Sequence, residues 1–137
     1  MKFLLKSVLV FLLAFAFFNV NLKQADAYSI CSASETRCAH TFLFYNKDKS
    51  SSTNTVYFSK GETIWYSWSN ESPGIFHTNV AIYKGTKQIT TGYKSIPSLG
   101  LDGGNVSAPE SGYYHLVALC SAGDQNRCEG GGKIFYQ

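Results

Sequence analysis

Apolar and polar residues alternate along most of the chain after residue 39, in short segments that are rich in β-branched and aromatic side chains. Alternation with a period of two predicts strands that turn one face towards a core. Turn-forming residues separate the segments, and none of them has the periodicity of an amphipathic helix. The predicted strands are residues 40–46, 54–59, 62–70, 78–84, 87–93, 104–108, 112–121 and 132–136.

About eight short strands joined by turns predict an all-β fold, an antiparallel β-sandwich or jelly roll. Tight hairpin turns are expected at Lys60–Gly61 and Gly85–Thr86, and a polar loop over residues 47–55. The strand over residues 112–121 is apolar on both faces, which predicts a central position in a sheet. Because side chains alternate across a strand, the pattern also assigns the core. The residues predicted to face it are Ile64, Tyr66, Trp68, Tyr114, Leu116 and Ala118.

The first residues of the chain have the layout of a secretory leader. Lys2 and Lys6 precede an apolar run of 12 residues at 7–18, which is too short for a membrane span of about 20 residues. Ala25 and Ala27 then occupy the small-residue positions of a cleavage site. We therefore predict a signal peptide at residues 1–27 rather than an uncleaved membrane anchor. Residues 28–137 are predicted to form a single secreted, extracellular β-sandwich domain.

Cleavage changes the charge balance of the protein. The formal net charge falls from +3 to +1, because three lysines and Asp26 are removed with the leader. No cluster of lysine and arginine remains in the sequence, and a nucleic-acid interface needs one. We therefore expect no nucleic-acid partner, and no stable membrane insertion after cleavage.

All four cysteines lie in the exported part, which predicts two disulfide bonds. Four cysteines allow three pairings, and the local one joins Cys31 to Cys38 and Cys120 to Cys128. Each local bond would close a small loop and restrict the unfolded chain by about 2.5 kcal/mol on the loop-entropy model. The main rival pairing, Cys38 to Cys120 or Cys31 to Cys128, would tie the start of the mature chain to its late strands.

The residues that could carry chemistry do not form a recognisable catalytic or metal pattern. The cysteines of each close pair are separated by six and seven residues, wider than in zinc ribbons. His115 and Cys120 lie five apart on one predicted strand, so they face opposite sides and cannot form a dyad. The acids Glu62, Glu71, Asp102 and Glu110 fall in turns or loops, and no Gly-x-Ser-x-Gly elbow is present. We expect no enzyme, no cofactor and no metal.

A resemblance to a known family emerges over residues 54–120. The segments "FSKGETIWYSWSNES", "NVAIYKG" and "GGNVSAPESGYYHLVAL" resemble the pattern of the pre-peptidase C-terminal domain. That resemblance implies a secreted β-sandwich of a kind usually attached to a peptidase, some members of which bind matrix proteins or polysaccharide. The acidic cluster of calcium-binding relatives is missing near the mature N-terminus, so no calcium site is implied. The matching residues are Gly61, Glu62, Tyr83, Gly85, Pro109, Ser111, Gly112, Tyr114 and Leu116.

Aromatic residues make up 16 of the 110 residues after the leader, more than the predicted core needs. Outward aromatic side chains on a sheet can bind a sugar polymer or anchor a protein partner, or they can form cross-strand pairs that only stabilise the sheet. Asn70 and Asn105 also head glycosylation sequons. The aromatic residues predicted to face away from the core are Trp65, Tyr57, Tyr83, Tyr93 and Tyr113.

These observations favour a small secreted, non-catalytic binding module. Its expected target is a polysaccharide or an extracellular or surface protein, bound through the aromatic sheet face. A secreted toxin or antimicrobial that acts on a competitor's envelope is an alternative, although the low net charge and the lack of an amphipathic helix weaken it. A small hydrolase is a further alternative.

Overall fold

The computed structural model of the protein describes residues 29–137, and the predicted signal peptide lies outside the described residues. This part of the chain forms two antiparallel sheets whose inner faces share one hydrophobic core. The all-β antiparallel sandwich predicted from the sequence is therefore confirmed. Over residues 29–137, no helix is long and apolar enough to cross a membrane.

The strands, in chain order, are β1 (Cys38–Leu43), β2 (Ser50–Ser52), β3 (Val56–Phe58), β4 (Thr63–Asn70), β5 (Thr78–Lys84), β6 (Lys87–Gln88), β7 (Lys94–Ile96), β8 (Leu101–Ser107), β9 (Gly112–Cys120) and β10 (Gly130–Phe135). A short 3-10 turn at Ser121–Gly123 follows β9. The first sheet has the order β1-β10-β4-β8. The second has the order β2-β9-β5-β6, with β3 also paired to β9 and β7 to β5. The strand β9 is therefore central, as its two apolar faces predict.

The core residues assigned from alternation are buried in the structure. Ile64 and Trp68 of β4 are fully buried, and Tyr66 between them is 8% exposed. On β9, the predicted set Tyr114, Leu116 and Ala118 is fully buried, together with Cys120. Side chains from both sheets thus close one core, as a sandwich requires.

The sequence predicts a polar loop over residues 47–55. In the structure this segment also contains the strand β2. Thr53 extends the pairing of this segment with β9. Its backbone N–H donates to the Leu116 carbonyl at 3.0 Å, and its hydroxyl accepts the Leu116 N–H at 3.0 Å. The buried Thr53 hydroxyl thus accepts the hydrogen bond that a backbone carbonyl would accept in a regular strand pair. The alternation of apolar and polar residues does not predict such a contact.

The sequence predicts a strand over residues 87–93, and this prediction is wrong for residues 89–93, because β6 ends at Gln88. The chain leaves the sheet after β6 and re-enters it at Lys94, the first residue of β7. Gly92 has φ +81°, a left-handed conformation that suits glycine and interrupts an extended strand. Tyr93 consequently lies in the turn that precedes β7 rather than inside a strand.

The last strand begins earlier than the predicted residues 132–136, because Gly130–Gly132 of "EGGGK" form the first half of β10. A Cβ at Gly132 would overlap Cε3 of Trp68 and lie 2.6 Å from the Ser67 carbonyl oxygen. A Cβ at Gly130 would lie 2.9 Å from Nε1 of Trp68. These glycines therefore make room for the largest side chain of the core.

Asn70, at the end of β4, is 3% exposed and lies at the centre of a polar network. Its Oδ1 accepts a hydrogen bond from Trp68 Nε1 at 2.8 Å and another from the Thr78 hydroxyl at 2.6 Å. Its Nδ2 donates to the carbonyls of Ile96 and Pro97, each at 2.8 Å. The side chain joins both sheets, and in the folded protein it is closed to glycosylation despite its sequon.

Candidate functional site

Four of the five aromatic residues predicted to face outward lie on the outer face of the second sheet. Tyr57 of β3 stands directly opposite Tyr113 of β9 in the strand register. Their ring centroids are 5.4 Å apart in an edge-to-face arrangement. The two side chains are 47% and 61% exposed, so this aromatic pair is open to solvent.

A second aromatic group continues from this pair across β9 and β5. His115 shares the outer face of β9 with Tyr113, two residues away, and stands opposite Tyr83 of β5. The His115 and Tyr83 rings are stacked, with centroids 6.0 Å apart and planes 27° apart. Tyr93 follows beside Tyr83 at a centroid distance of 6.5 Å. We call Tyr57, Tyr113, His115, Tyr83 and Tyr93 the tyrosine face.

Two groups of the tyrosine face, His115 and Tyr83, have pKa values shifted from their usual values. Burial lowers the pKa of His115 below its usual value of 6.5, so the imidazole is uncharged. The hydrogen bond between the Tyr83 and Tyr93 hydroxyls raises the pKa of Tyr83, whose phenol stays protonated. The Tyr83 hydroxyl also donates to Gln88 Oε1 at 3.1 Å. Hydrogen bonds between uncharged groups thus hold the Tyr83 and Tyr93 side chains in place.

Trp65 does not join the tyrosine face, because β4 belongs to the first sheet. It points outward there, in register with Asn105 of β8 and Phe135 of β10, and is half-buried. The segment that precedes β1 runs over the same outer face. The Ser29 hydroxyl bonds to the Ser67 hydroxyl, and Glu35 forms a 2.6 Å ion pair with Lys133. Alternation correctly predicts that Trp65 faces outward, but it does not distinguish the two outer faces of a sandwich.

The cysteines form the two local pairs that the sequence favours. Cys31 and Cys38 are joined with a Cα–Cα distance of 5.8 Å, and Cys120 and Cys128 with one of 5.6 Å. The first bond closes the loop before β1, and the second closes the loop between β9 and β10. Glu35 places a carboxylate within 4.8 Å of the first pair of sulfur atoms, but both sulfurs are used by the disulfide.

His115 and Cys120 lie on opposite faces of β9, as the odd spacing predicts. Cys120 is fully buried and disulfide-bonded, whereas His115 stacks on Tyr83 at the outer surface. The apparent pair in "HLVALC" is therefore separated by the sheet itself.

The acidic side chains considered as catalytic candidates are engaged with neighbouring groups. Glu62 pairs with Arg37 at 2.6 Å, Asp102 with Lys94 at 3.0 Å, and Glu110 with Lys84 at 2.9 Å. In each case the hydrogen bond from the cation is the main reason why the pKa of the carboxyl is lowered. Glu71 accepts a hydrogen bond from the Ser69 hydroxyl. Three of these carboxylates are thus ionised at neutral pH, whereas a general acid needs a raised pKa.

An open pocket of about 250 Å³ adjoins the tyrosine face. It lies between β8 at the edge of the first sheet and the turn that leads into β7. Tyr93 belongs both to its lining and to the tyrosine face, so the two features are continuous. The remaining lining residues are Tyr66, Thr90, Thr91, Gly92, Lys94, Asn105 and Val106.

Comparison with known proteins finds a similarity to a solved structure. No family model matches the chain, and no curated protein matches it. Among solved structures, a pre-peptidase C-terminal domain of collagenase from Bacillus anthracis is similar, with 13% sequence identity and a TM-score of 0.47. The match covers 73% of this chain and 87% of that chain. It is the kind of domain that residues 54–120 resemble in sequence.

Several residues of this region are not among those singled out from the sequence. His115 was considered there only as a partner for cysteine, and the register of β9 and β5 is needed to place it against Tyr83. The pocket was not predicted at all, because it joins segments that are distant in the chain. The one local signal is the pair of glycines in "LDGGN". A Cβ at Gly104 would lie 2.7 Å from the Tyr66 hydroxyl oxygen, so this glycine admits the phenol to the edge of the sheet.

Proposed function

We propose that this protein is a secreted, non-catalytic module that binds a polysaccharide chain across the tyrosine face. The observation that carries the proposal is the presence of two neighbouring groups of rings on the outer side of β3, β9 and β5. Three of these rings, those of Tyr57, Tyr93 and Tyr113, are each more than 40% exposed. Large exposed rings ordinarily occur singly on a protein surface, and their clustering favours an interaction site.

The geometry of the row suits an extended and regular ligand. Neighbouring strands in a sheet lie about 4.8 Å apart, and the row places rings on successive strands. Edge-to-face and stacked contacts fix the orientation of Tyr57, Tyr113, His115 and Tyr83 before a ligand arrives. Such preorganisation reduces the conformational entropy that binding would otherwise cost.

The uncharged state of His115 and Tyr83 near pH 7 favours sugars over charged ligands. The apolar faces of sugar rings stack on aromatic side chains, and phenol hydroxyls form hydrogen bonds with sugar hydroxyls. His115 and Tyr83 contribute no charge near pH 7, because their pKa values are shifted away from neutrality in the directions given above. A neutral polysaccharide therefore fits this surface better than an acidic protein or a phosphate-rich polymer.

Export and the lack of catalysis are supported by separate observations. Two disulfide bonds are typical of proteins in oxidising compartments outside the cytosol. The acidic residues near the surface are ion-paired and ionised, as described for Glu62, Asp102 and Glu110. A module of this kind would locate a polymer rather than cleave it.

A sedimentation assay tests the proposal. The secreted protein is mixed with insoluble cellulose, chitin, starch and bacterial peptidoglycan, and the bound fraction is measured. Tyr113→Ala and Tyr57→Ala should each weaken retention about five- to tenfold, because truncating a central aromatic contact commonly costs more than about 1 kcal/mol. Phe44→Ala is the matched control, since Phe44 is 46% exposed and lies just beyond the end of β1, in the other sheet.

Three results would refute the proposal. If the wild type is retained on none of the four polymers, a polysaccharide is excluded as the ligand. Equal retention of wild type, Tyr113→Ala and Tyr57→Ala would show that binding occurs elsewhere on the protein. Saturable binding to a surface protein that both substitutions abolish would assign the same face to a protein partner and overturn the proposed ligand class.

A further inference from the structure

The pocket beside the tyrosine face is built from groups that form hydrogen bonds, and the rings of the tyrosine face do not explain it. Its lining includes Thr90, Thr91, Tyr66, Asn105 and Lys94, and Tyr93 forms the border to the tyrosine face. We infer that the pocket is a subsite for one neutral sugar residue, the end of the chain that crosses the tyrosine face. The inference rests on the proposed function in one respect, since it takes the ligand class from it.

The size of the pocket limits what it can hold. Its volume is about 250 Å³, below the range of roughly 300–1,000 Å³ that is typical of sites for drug-sized ligands. A single sugar ring fits this space, whereas a long internal stretch of polymer does not. The pocket is also open to solvent and shares Tyr93 with the tyrosine face, so a chain end can enter it from that side.

Tyr66 provides the floor of the pocket. Its side chain is 8% exposed and comes from the inner face of β4. The absence of a side chain at Gly104, the register partner of Tyr66 on β8, lets the phenol reach the lining. Burial is the largest contribution that raises the pKa of this phenol, so the hydroxyl remains a neutral donor and acceptor. A neutral hydroxyl that both donates and accepts suits a sugar hydroxyl.

The rim of the pocket contains an ion pair, which can form charge-assisted hydrogen bonds with a ligand and carries no net charge. The Lys94 ammonium lies 3.0 Å from the Asp102 carboxylate, and an ammonium group keeps further N–H donors for a ligand. Asn105, which is exposed on β8, also belongs to the pocket lining, and its side chain has both an amide donor and a carbonyl acceptor. Because the ion pair is internally balanced, the rim can bind neutral hydroxyls without attracting an anion.

Nuclear magnetic resonance titration of the 15N-labelled secreted protein tests the inference. The probes are glucose, N-acetylglucosamine, galactose and mannose, each added to millimolar concentration. We expect at least one sugar to shift the backbone amides of Thr90–Lys94 and Asn105 saturably, while the amides around Tyr57 respond less. Tyr66→Phe, which removes only the hydroxyl, and Asn105→Ala should each weaken the fitted Kd at least threefold. Ser107→Ala is the matched control, since Ser107 is exposed on the same strand and lies outside the pocket lining.

The outcomes separate this inference from the proposed function. If no sugar produces saturable shifts at the pocket while Tyr113→Ala still weakens retention on a polymer, the subsite is refuted and the proposed function stands. If a sugar binds the pocket but Tyr113→Ala and Tyr57→Ala leave retention unchanged, the subsite stands and the tyrosine face does not. Equal affinities of wild type, Tyr66→Phe and Asn105→Ala would also overturn the subsite, because the sugar would then bind elsewhere.

Discussion

Substitution of Asn70 by alanine should destabilise the fold more than its small change in size implies. The wild-type side chain makes four hydrogen bonds, to Trp68, Thr78, Ile96 and Pro97. Trp68 and Thr78 are fully buried, so their donors have no access to water once Asn70 is removed. Leaving a buried polar group unsatisfied costs about 1–3 kcal/mol, and at least two groups are affected. We expect a loss of about 3–5 kcal/mol, a large part of the roughly 5–15 kcal/mol that a domain of this type has.

Urea unfolding with the disulfides intact, followed by tryptophan fluorescence, measures this loss. The slope of the unfolding free energy against urea concentration should equal that of the wild type, because the substitution does not change the surface that unfolding exposes. Thr78→Val removes one donor to Asn70 and keeps a similar shape, so we expect a smaller loss of about 1 kcal/mol. Asn105→Ala, in the exposed sequon, should stay within about 0.5 kcal/mol of wild type. A loss below about 1 kcal/mol for Asn70→Ala would refute the role assigned to the network.

Two further predictions concern β10 and the tyrosine face. Gly132→Ala should lower the free energy of unfolding by about 1–3 kcal/mol, since the added Cβ would overlap the Trp68 ring; a stabilised protein in the same urea assay would contradict this. Folding lowers the pKa of His115, so the unfolded chain binds the proton more readily, and stability should fall as the pH drops below about 6.5 towards the folded-state pKa. Urea midpoints measured between pH 7 and pH 5 should show a smaller fall for His115→Gln, and identical pH profiles for both proteins would exclude the imidazole as the cause.

The sequence predicts most of the fold because burial follows side-chain alternation. The face of β4 that carries Ile64, Tyr66 and Trp68, and the inner face of β9, were assigned from alternation alone. The predictions fail where a polar or small residue takes a structural role. The segment around Ser50–Ser52 joins the sheet through Thr53, and Gly130–Gly132 form strand because Trp68 needs the space.

The candidate site was harder to predict, since it depends on which strands become neighbours. Alternation correctly assigns Tyr57, Tyr83, Tyr113 and Trp65 to outward faces. It does not say that Trp65 lies in the other sheet, and Tyr93 reaches the tyrosine face from a turn. Pairing across distant parts of the chain, such as Tyr83 with His115, is determined by topology rather than by local pattern.

The coverage of one outer face by the segment before β1 has a consequence for valency. The ion pair of Glu35 with Lys133 and the bond of Ser29 with Ser67 hold that segment over the first sheet, while the rings of the second sheet are left open. A copy that binds through the tyrosine face alone would hold one polymer strand. Firm retention on a repetitive surface would then require several copies to be linked, because tethering a second copy can raise the overall avidity by a factor of about 10²–10⁴ without any new contact.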